Sequence, residues 1–375
     1  MNDRTDRHRC DASLARRAVM SSFAALLVLA LAYPALAEAD GGVAEVWPAP
    51  QWIERNPADV GLEEARLTAL AELVGGDGVV IRHGCLVYRW GNATQSGDFA
   101  SAMKPLLSSL LLIALQEDLI ESVDEPLVRY EPRLAEIPGG DQITWRHLAN
   151  QMSAYGLREA PGEAYAYNDF ALALYYDTLM DHVYRQHGDE VLRSRLAGPL
   201  GFEDRYTFEA FGPHDRPGRL AASVRDFARF GLMYLRQGRW QDRQILAPEL
   251  VKKSLSDVVP AGTPLTRGEE VPMLPDQRSI GGSRNITPVG PGFYTFNWWV
   301  NGVDAAGRRL YVDAPRDTYL AGGHGGRRNL WIIPSLDLVV CWNNTRVTDH
   351  DDSPGNPDTL SSRAVRLMVE AAAGR

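Results

Sequence analysis

The stretch from Leu106 to Leu115 constrains the fold more than any other. Seven of its ten residues are Leu or Ile, and they fall on every face of a helical wheel. A helix with no polar face must be surrounded by protein, so this run predicts a helix in the middle of a core. Ser101-Ala-Met-Lys104 and Pro105 stand just ahead of it. Proline fits only the first turn, so the helix is expected to start close to Ser101. Ser101 and Lys104 then share one face, three residues apart. A serine hydroxyl needs a neighbour to take its proton. A partly buried lysine of lowered pKa can be that neighbour, and the free N–H groups of a helix start suit a developing oxyanion. Alone, the pair also reads as a helix cap and a solvated lysine.

The chain has 375 residues, enough for one large domain or two lobes. Its formal charge of −9 offers no basic field for phosphates, which argues against a nucleic-acid partner. Residues 1–37 look like an export signal. Arg4, Arg7, Arg9, Arg16 and Arg17 make a basic leader, Ala18 to Leu36 is mostly apolar, and Ala35-Leu36-Ala37 has a small-x-small form. The alternative is a single membrane anchor, but Ser21, Ser22 and Pro34 make the run marginal as a span. Cleavage would leave a periplasmic or secreted domain, 38–375, with no stable membrane span. Cys10 lies in the leader. Cys85 and Cys341 remain after cleavage, either paired or as buried free thiols.

Leu62 to Val74 has helical spacing and ends at Gly75-Gly76. The stretches Gly78 to Gly84 and Cys85 to Gly91 then read as two strands around a tight turn. Thr144 is a plausible cap for a helix beginning near Trp145, and Ser223 for an amphipathic helix ending near Leu235. Residues 161–187 run into a long apolar helix. Residues 257–292 are rich in Gly, Pro and Ser and read as a long surface loop, functional or a mere insertion. Strands are expected at Phe293–Val300, Arg309–Val312, Tyr319–Gly323, Asn329–Ile333 and Leu338–Trp342, then a helix at Thr359–Ala373. Strands near both ends with helices between predict an α+β fold. One antiparallel sheet would draw on 38–118 and 219–375, with a helical lobe at about 119–218 inserted.

Three stretches carry the candidate chemistry: Ser101-x-x-Lys104, Tyr167-Asn168-Asp169 and His324-Gly325-Gly326. Their order resembles that of the serine β-lactamase-like superfamily. Its members include class C β-lactamases, D-alanyl-D-alanine carboxypeptidases, esterases and 6-aminohexanoate-dimer hydrolases. They carry S-x-x-K, then Y-x-N, then K-T-G or H-x-G. The resemblance spans roughly residues 50–373. Supporting stretches are Ile143-Thr-Trp-Arg-His-Leu, Pro161-Gly-Glu, Ala221-Ala-Ser-Val-Arg-Asp-Phe and Ile332-Ile-Pro-Ser-Leu-Asp.

The resemblance implies a β-lactamase/transpeptidase-like fold and a serine hydrolase that needs no cofactor or metal. Ser101 would form an acyl-enzyme with a small ester or amide, with Lys104 and Tyr167 moving the proton. His324 would polarise the site. Gly325 and Gly326 would let substrate lie against the strand. The Ser101 and Arg327 N–H groups would hold the oxyanion. Two departures matter. Asp169 replaces the usual Asn, so it accepts hydrogen bonds but donates none unless protonated, and it could pair with Lys104. His-Gly-Gly replaces Lys-Thr-Gly, which removes a cation and a hydroxyl. Arg327 and Arg328 are either an anion site or a solvated pair. These departures favour an esterase or amide hydrolase over a β-lactamase or carboxypeptidase. A non-catalytic binding protein on the same fold is the other alternative. Asp349-His350-Asp351-Asp352 reads as a solvated loop rather than a metal site. Oligomeric state is left open.

Overall fold

Val79-Val80-Ile81 and Val339-Val340-Cys341 are apolar at successive positions. Strands of that kind must be covered on both faces, and they form the middle of the sheet. The computed structural model describes residues 45–48, 50–345 and 353–373. The expected leader, with Cys10, and Asp349–Asp352 lie outside the described residues.

Seven strands make one antiparallel sheet. They are β1 (Asp77–Arg82), β2 (Cys85–Trp90), β3 (Tyr294–Thr295), β4 (Trp298–Val300), β5 (Tyr319–Gly323), β6 (Arg328–Ile333) and β7 (Leu338–Asn343). Their order is β2-β1-β7-β6-β5-β4-β3. The first hairpin therefore joins the strands from the end of the chain, with Val79 opposite Cys341, as expected. The longer helices are α1 (Glu64–Val74), α2 (Lys104–Gln116), α3 (Asp169–Asp177), α4 (Val224–Leu235) and α5 (Leu360–Ala373).

Each face of the sheet has its own core. Val80, Trp331, Val340 and Trp342 pack with Leu67 and Leu70 of α1 and Val365 and Met368 of α5. Val79, Leu330, Val339 and Cys341 pack with α2 and α4. The approach of α4 is close. A Cβ at Gly231 would come within 2.8 Å of both Leu330 and Val339 side-chain carbons. As the apolar run requires, α2 is enclosed: every residue from Lys104 to Ala114 is buried. Its Ser108 donates to Asn297 Oδ1 at 2.7 Å, and its Ser109 to the Pro105 carbonyl at 2.8 Å.

The expected caps are present. Thr144 accepts from the His147 N–H at 3.2 Å, and Ser223 from the Asp226 N–H at 3.2 Å. Residues 119–218 give no strand to the large sheet. The long apolar helix is α3 followed by a wider turn of helix at Thr178–Tyr184.

Two strand expectations are corrected. Phe293–Val300 is not one strand but β3 and β4, because Phe296 and Asn297 turn the chain at φ 42 and 66. Arg309–Val312 is not a strand. The Asn301 side chain takes the place of a ladder partner there, accepting from the Tyr311 N–H at 2.9 Å and donating to the Tyr311 carbonyl at 3.0 Å. Main-chain groups satisfied by a side chain do not need a neighbouring strand.

Cys85 and Cys341 are free and lie in the cores of opposite faces. Burial pushes both thiols up. Iodoacetamide is expected to spare both cysteines in the native protein and label both after unfolding. A Cys85–Cys341 crosslinked peptide in a non-reduced digest would contradict this topology.

Candidate active site

Ser101 sits in the tight helical turn Ala100–Met103, which runs directly into α2. The helix proper starts at Lys104, so Ser101 precedes its first turn. Ala100 has φ 47, a conformation that costs a non-glycine residue free energy. Asp98 holds it there: Oδ1 accepts from the Ala100 N–H at 2.8 Å. The Phe99 N–H donates to the Leu220 carbonyl at 2.9 Å.

Lys104 is wholly buried at the head of α2. Its ammonium donates to Asp169 Oδ1 at 2.8 Å and lies 3.7 Å from the centre of the Tyr167 ring. A buried ammonium needs such partners. The Tyr167 ring is stacked on Trp299 at 6.1 Å and meets Tyr294 edge-on at 5.8 Å. Burial pushes the Tyr294 and Tyr165 hydroxyls well above the usual range, so both stay neutral. Asn168, between the two functional positions, caps α3. Its Oδ1 accepts from the Phe170 and Ala171 N–H groups at 3.0 Å.

His324, Gly325, Gly326 and Arg327 form the turn between β5 and β6, where Gly323 pairs with Arg328. His324 is exposed, with φ 52, and its Nε2 lies 3.3 Å from Arg327 Nη1. The close contact with the Ser101 turn is made one residue earlier. A Cβ at Gly323 would come 2.7 Å from the Phe99 carbonyl oxygen and 2.8 Å from the Ala102 nitrogen, so only glycine lets β5 lie this close.

Ser101, Tyr167, Asp169, His324, Gly325 and Gly326 all line one cavity of about 780 Å³. Lys104 reaches it only through Asp169 and Tyr167. Arg327 is not on its wall, and the Arg327 N–H closes the turn onto the His324 carbonyl at 3.4 Å. Arg328 is on the wall, bound to Asp98 Oδ2 at 3.2 Å.

The 257–292 loop is part of this site. Ile280 N–H donates to the Asp169 carbonyl at 3.2 Å, Asp169 N–H to the Ser283 carbonyl at 3.0 Å, and Ile286 N–H to the Tyr167 carbonyl at 3.1 Å. The loop thus grips the Tyr167-Asn168-Asp169 backbone from both sides. Arg278 fastens it further, donating to Asp177 Oδ1 at 2.8 Å.

Several wall residues escape sequence reasoning. Arg219 pairs with Asp98 across the cavity edge, yet no motif or periodicity marks either residue. Asn329 lines the cavity with its side chain buried, and neither its amide nitrogen nor its oxygen has a hydrogen-bond partner among the described residues. The run Gly322-Gly323 is the one visible signal for the close approach of β5.

The beta-lactamase family model matches residues 64–361. Among solved structures, a candidate beta-lactamase from Bacteroides dorei superposes with a TM-score of 0.61 at 14% identity, covering 83% of this chain and 98% of that one. A candidate 6-aminohexanoate-dimer hydrolase from Bacillus anthracis gives 0.59 at 15%, covering 86% of each. EstCE1, a hydrolase with promiscuous acyltransferase activity, gives 0.53 at 15%, covering 83% and 97%. At these identities the likeness shows the fold. No curated protein matches the sequence.

Two outcomes are expected. Asp169→Asn and Lys104→Met should each cost about 3–5 kcal/mol in urea unfolding, because each leaves a buried charge alone. The double variant should lose clearly less than the sum, and simple additivity would count against the pair. Separately, burial pushes the Asp177 carboxyl up to about 6, against the pull of Arg278 and with Asp181 and Asp215 adding to the rise. A raised carboxyl gives stability that is full below its unfolded value near 4 and lost as pH rises through about 6. Asp177→Asn should therefore gain on the wild type between pH 4 and 6 in thermal unfolding. A pH-independent difference would refute the shift.

Proposed function

The chain belongs to the beta-lactamase family, and from that premise we propose that it is an exported serine hydrolase opening an ester or amide through an acyl-enzyme on Ser101. One observation carries the reading. A buried ammonium is clasped by Asp169 and laid on the Tyr167 ring, and both partners share a cavity wall with Ser101. Chance packing does not place a solvent-free lysine beside a serine, a tyrosine and a cleft of substrate size.

The steps follow from the charges. While Lys104 stays an ammonium in its pair with Asp169, it has no lone pair to take a proton. A cation over the ring favours negative charge on Tyr167. Tyr167 is then the group that takes the Ser101 proton as Oγ attacks the carbonyl carbon. It returns that proton to the leaving oxygen or nitrogen. Water repeats the cycle on the acyl-enzyme. The Ser101 N–H, in the tight turn that leads into α2, would serve as one donor to the developing oxyanion. The second donor belongs to the glycine turn at Gly325 and Gly326, because the Arg327 N–H is already engaged. His324, exposed on the cavity wall, would polarise the leaving group.

Asp169 is spent on Lys104, so it does not recognise a substrate amide as an Asn would. This supports an esterase or amide hydrolase over a β-lactamase or cell-wall carboxypeptidase. The leader at 1–37 supports export to the periplasm or medium, and the sheet and helical parts, 38–118 with 219–375 and 119–218, are proposed as two lobes of one hydrolase domain.

A fluorophosphonate probe is expected to leave one adduct, on the peptide carrying Ser101, and none in Ser101→Ala. Tyr167→Phe should slow labelling by about 100-fold or more. A folded protein that takes no adduct would favour a binding role. Turnover of a chromogenic cephalosporin at an enzyme-like rate would favour a β-lactamase.

A further inference from the structure

The charges around the cavity do not balance. Asp169 is matched by Lys104. Asp98 is shared by two guanidiniums. Arg219 pairs with it and donates Nε to Oδ1 at 3.1 Å, while Arg328 donates Nη1 to Oδ2 at 3.2 Å. Arg216 is a third guanidinium on the same wall. It is half-buried and makes no side-chain hydrogen bond or ion pair among the described residues. Three guanidiniums and an ammonium thus stand against two carboxylates, in a chain of formal charge −9. A local positive surplus in a cleft with protein walls is the condition for drawing in an anion.

The surplus is also focused. Arg216 and Arg219 converge on Gly281 of the long loop, where an added Cβ would lie 3.3 and 3.0 Å from their Nη1 atoms. Through Asp98 the cluster is joined to the residue before Ser101, since Asp98 Oδ1 accepts from the Ala100 N–H at 2.8 Å. Another part of the wall is apolar. Leu310, Tyr311 and Leu320 belong to one core cluster, with Val289 and Trp299 packed on it.

We propose that the cavity selects amphiphilic esters or amides, with a carboxylate held by Arg216 and an apolar group held against Trp299, Tyr311 and Leu320. The inference rests on the hydrolase reading above and names the substrate class for it. A single unpartnered guanidinium matches a single negative charge, and its fork matches the two oxygens of a carboxylate.

The test reads binding, so that it does not depend on turnover. In the Ser101→Ala protein, the affinities of monophenyl adipate and of methyl phenyl adipate are compared by calorimetry. The free acid should bind at least tenfold more tightly. The gap should shrink towards one with Arg216→Gln added, and it should narrow with salt. Equal affinities, no binding of either compound, or a gap that survives Arg216→Gln would overturn the inference. Labelling of the wild type by the fluorophosphonate reports on the serine separately. An adduct on Ser101 with equal affinities removes the carboxylate site and keeps the hydrolase. A tenfold gap without an adduct keeps the carboxylate site and removes the hydrolase.

Discussion

An ammonium with no exposed surface sits at the head of α2, and burying that charge sets the terms for everything around it. Water cannot solvate Lys104, so the protein must. It does so with one carboxylate and one aromatic face, both drawn from the segment that opens α3. The enclosed helix α2, the start of α3 and the loop that grips the Asp169 backbone are therefore parts of one arrangement. Moving any of them would leave a charge stranded, at a cost comparable to a large share of a domain's stability.

What could be read in the sequence followed from strong local rules. The leucine-rich run after Ser101 has one solution, a helix enclosed by the core, and the structure adopts it. Ser223 and Thr144 cap helices because their hydroxyls satisfy free N–H groups at a helix start. The antiparallel sheet drawn from both chain ends follows from where the β-branched residues lie. The motif order that resembled the serine β-lactamase-like superfamily also brought Ser101, Tyr167 and His324 to one cavity wall.

The failures were of another kind. Arg309–Val312 looks like a strand, but the distant Asn301 amide meets its backbone instead. Phe293–Val300 is largely aromatic, and periodicity alone could not show the turn at Phe296 and Asn297. Asp98 and Arg219 are separated by most of the helical region and meet only after folding. The 257–292 loop has no periodicity because its backbone partners are the irregular stretch around Tyr165 to Asp169, not a regular ladder. Composition therefore marked it as a long loop that could shape the pocket, without showing which of its residues reach the cavity wall.

The sheet order carries a consequence for how the protein is made. β1 pairs with β7, although α2, α3, α4 and every strand from β2 to β6 lie between them in the chain. The centre of the sheet cannot close until the chain has reached β7. Until then the valine-rich hairpin and the leucine helix have no partners to cover them, which is the state in which chains associate wrongly. Contacts this far apart in sequence also form slowly. A truncation that removes β7 therefore destroys the core on both faces rather than trimming an edge.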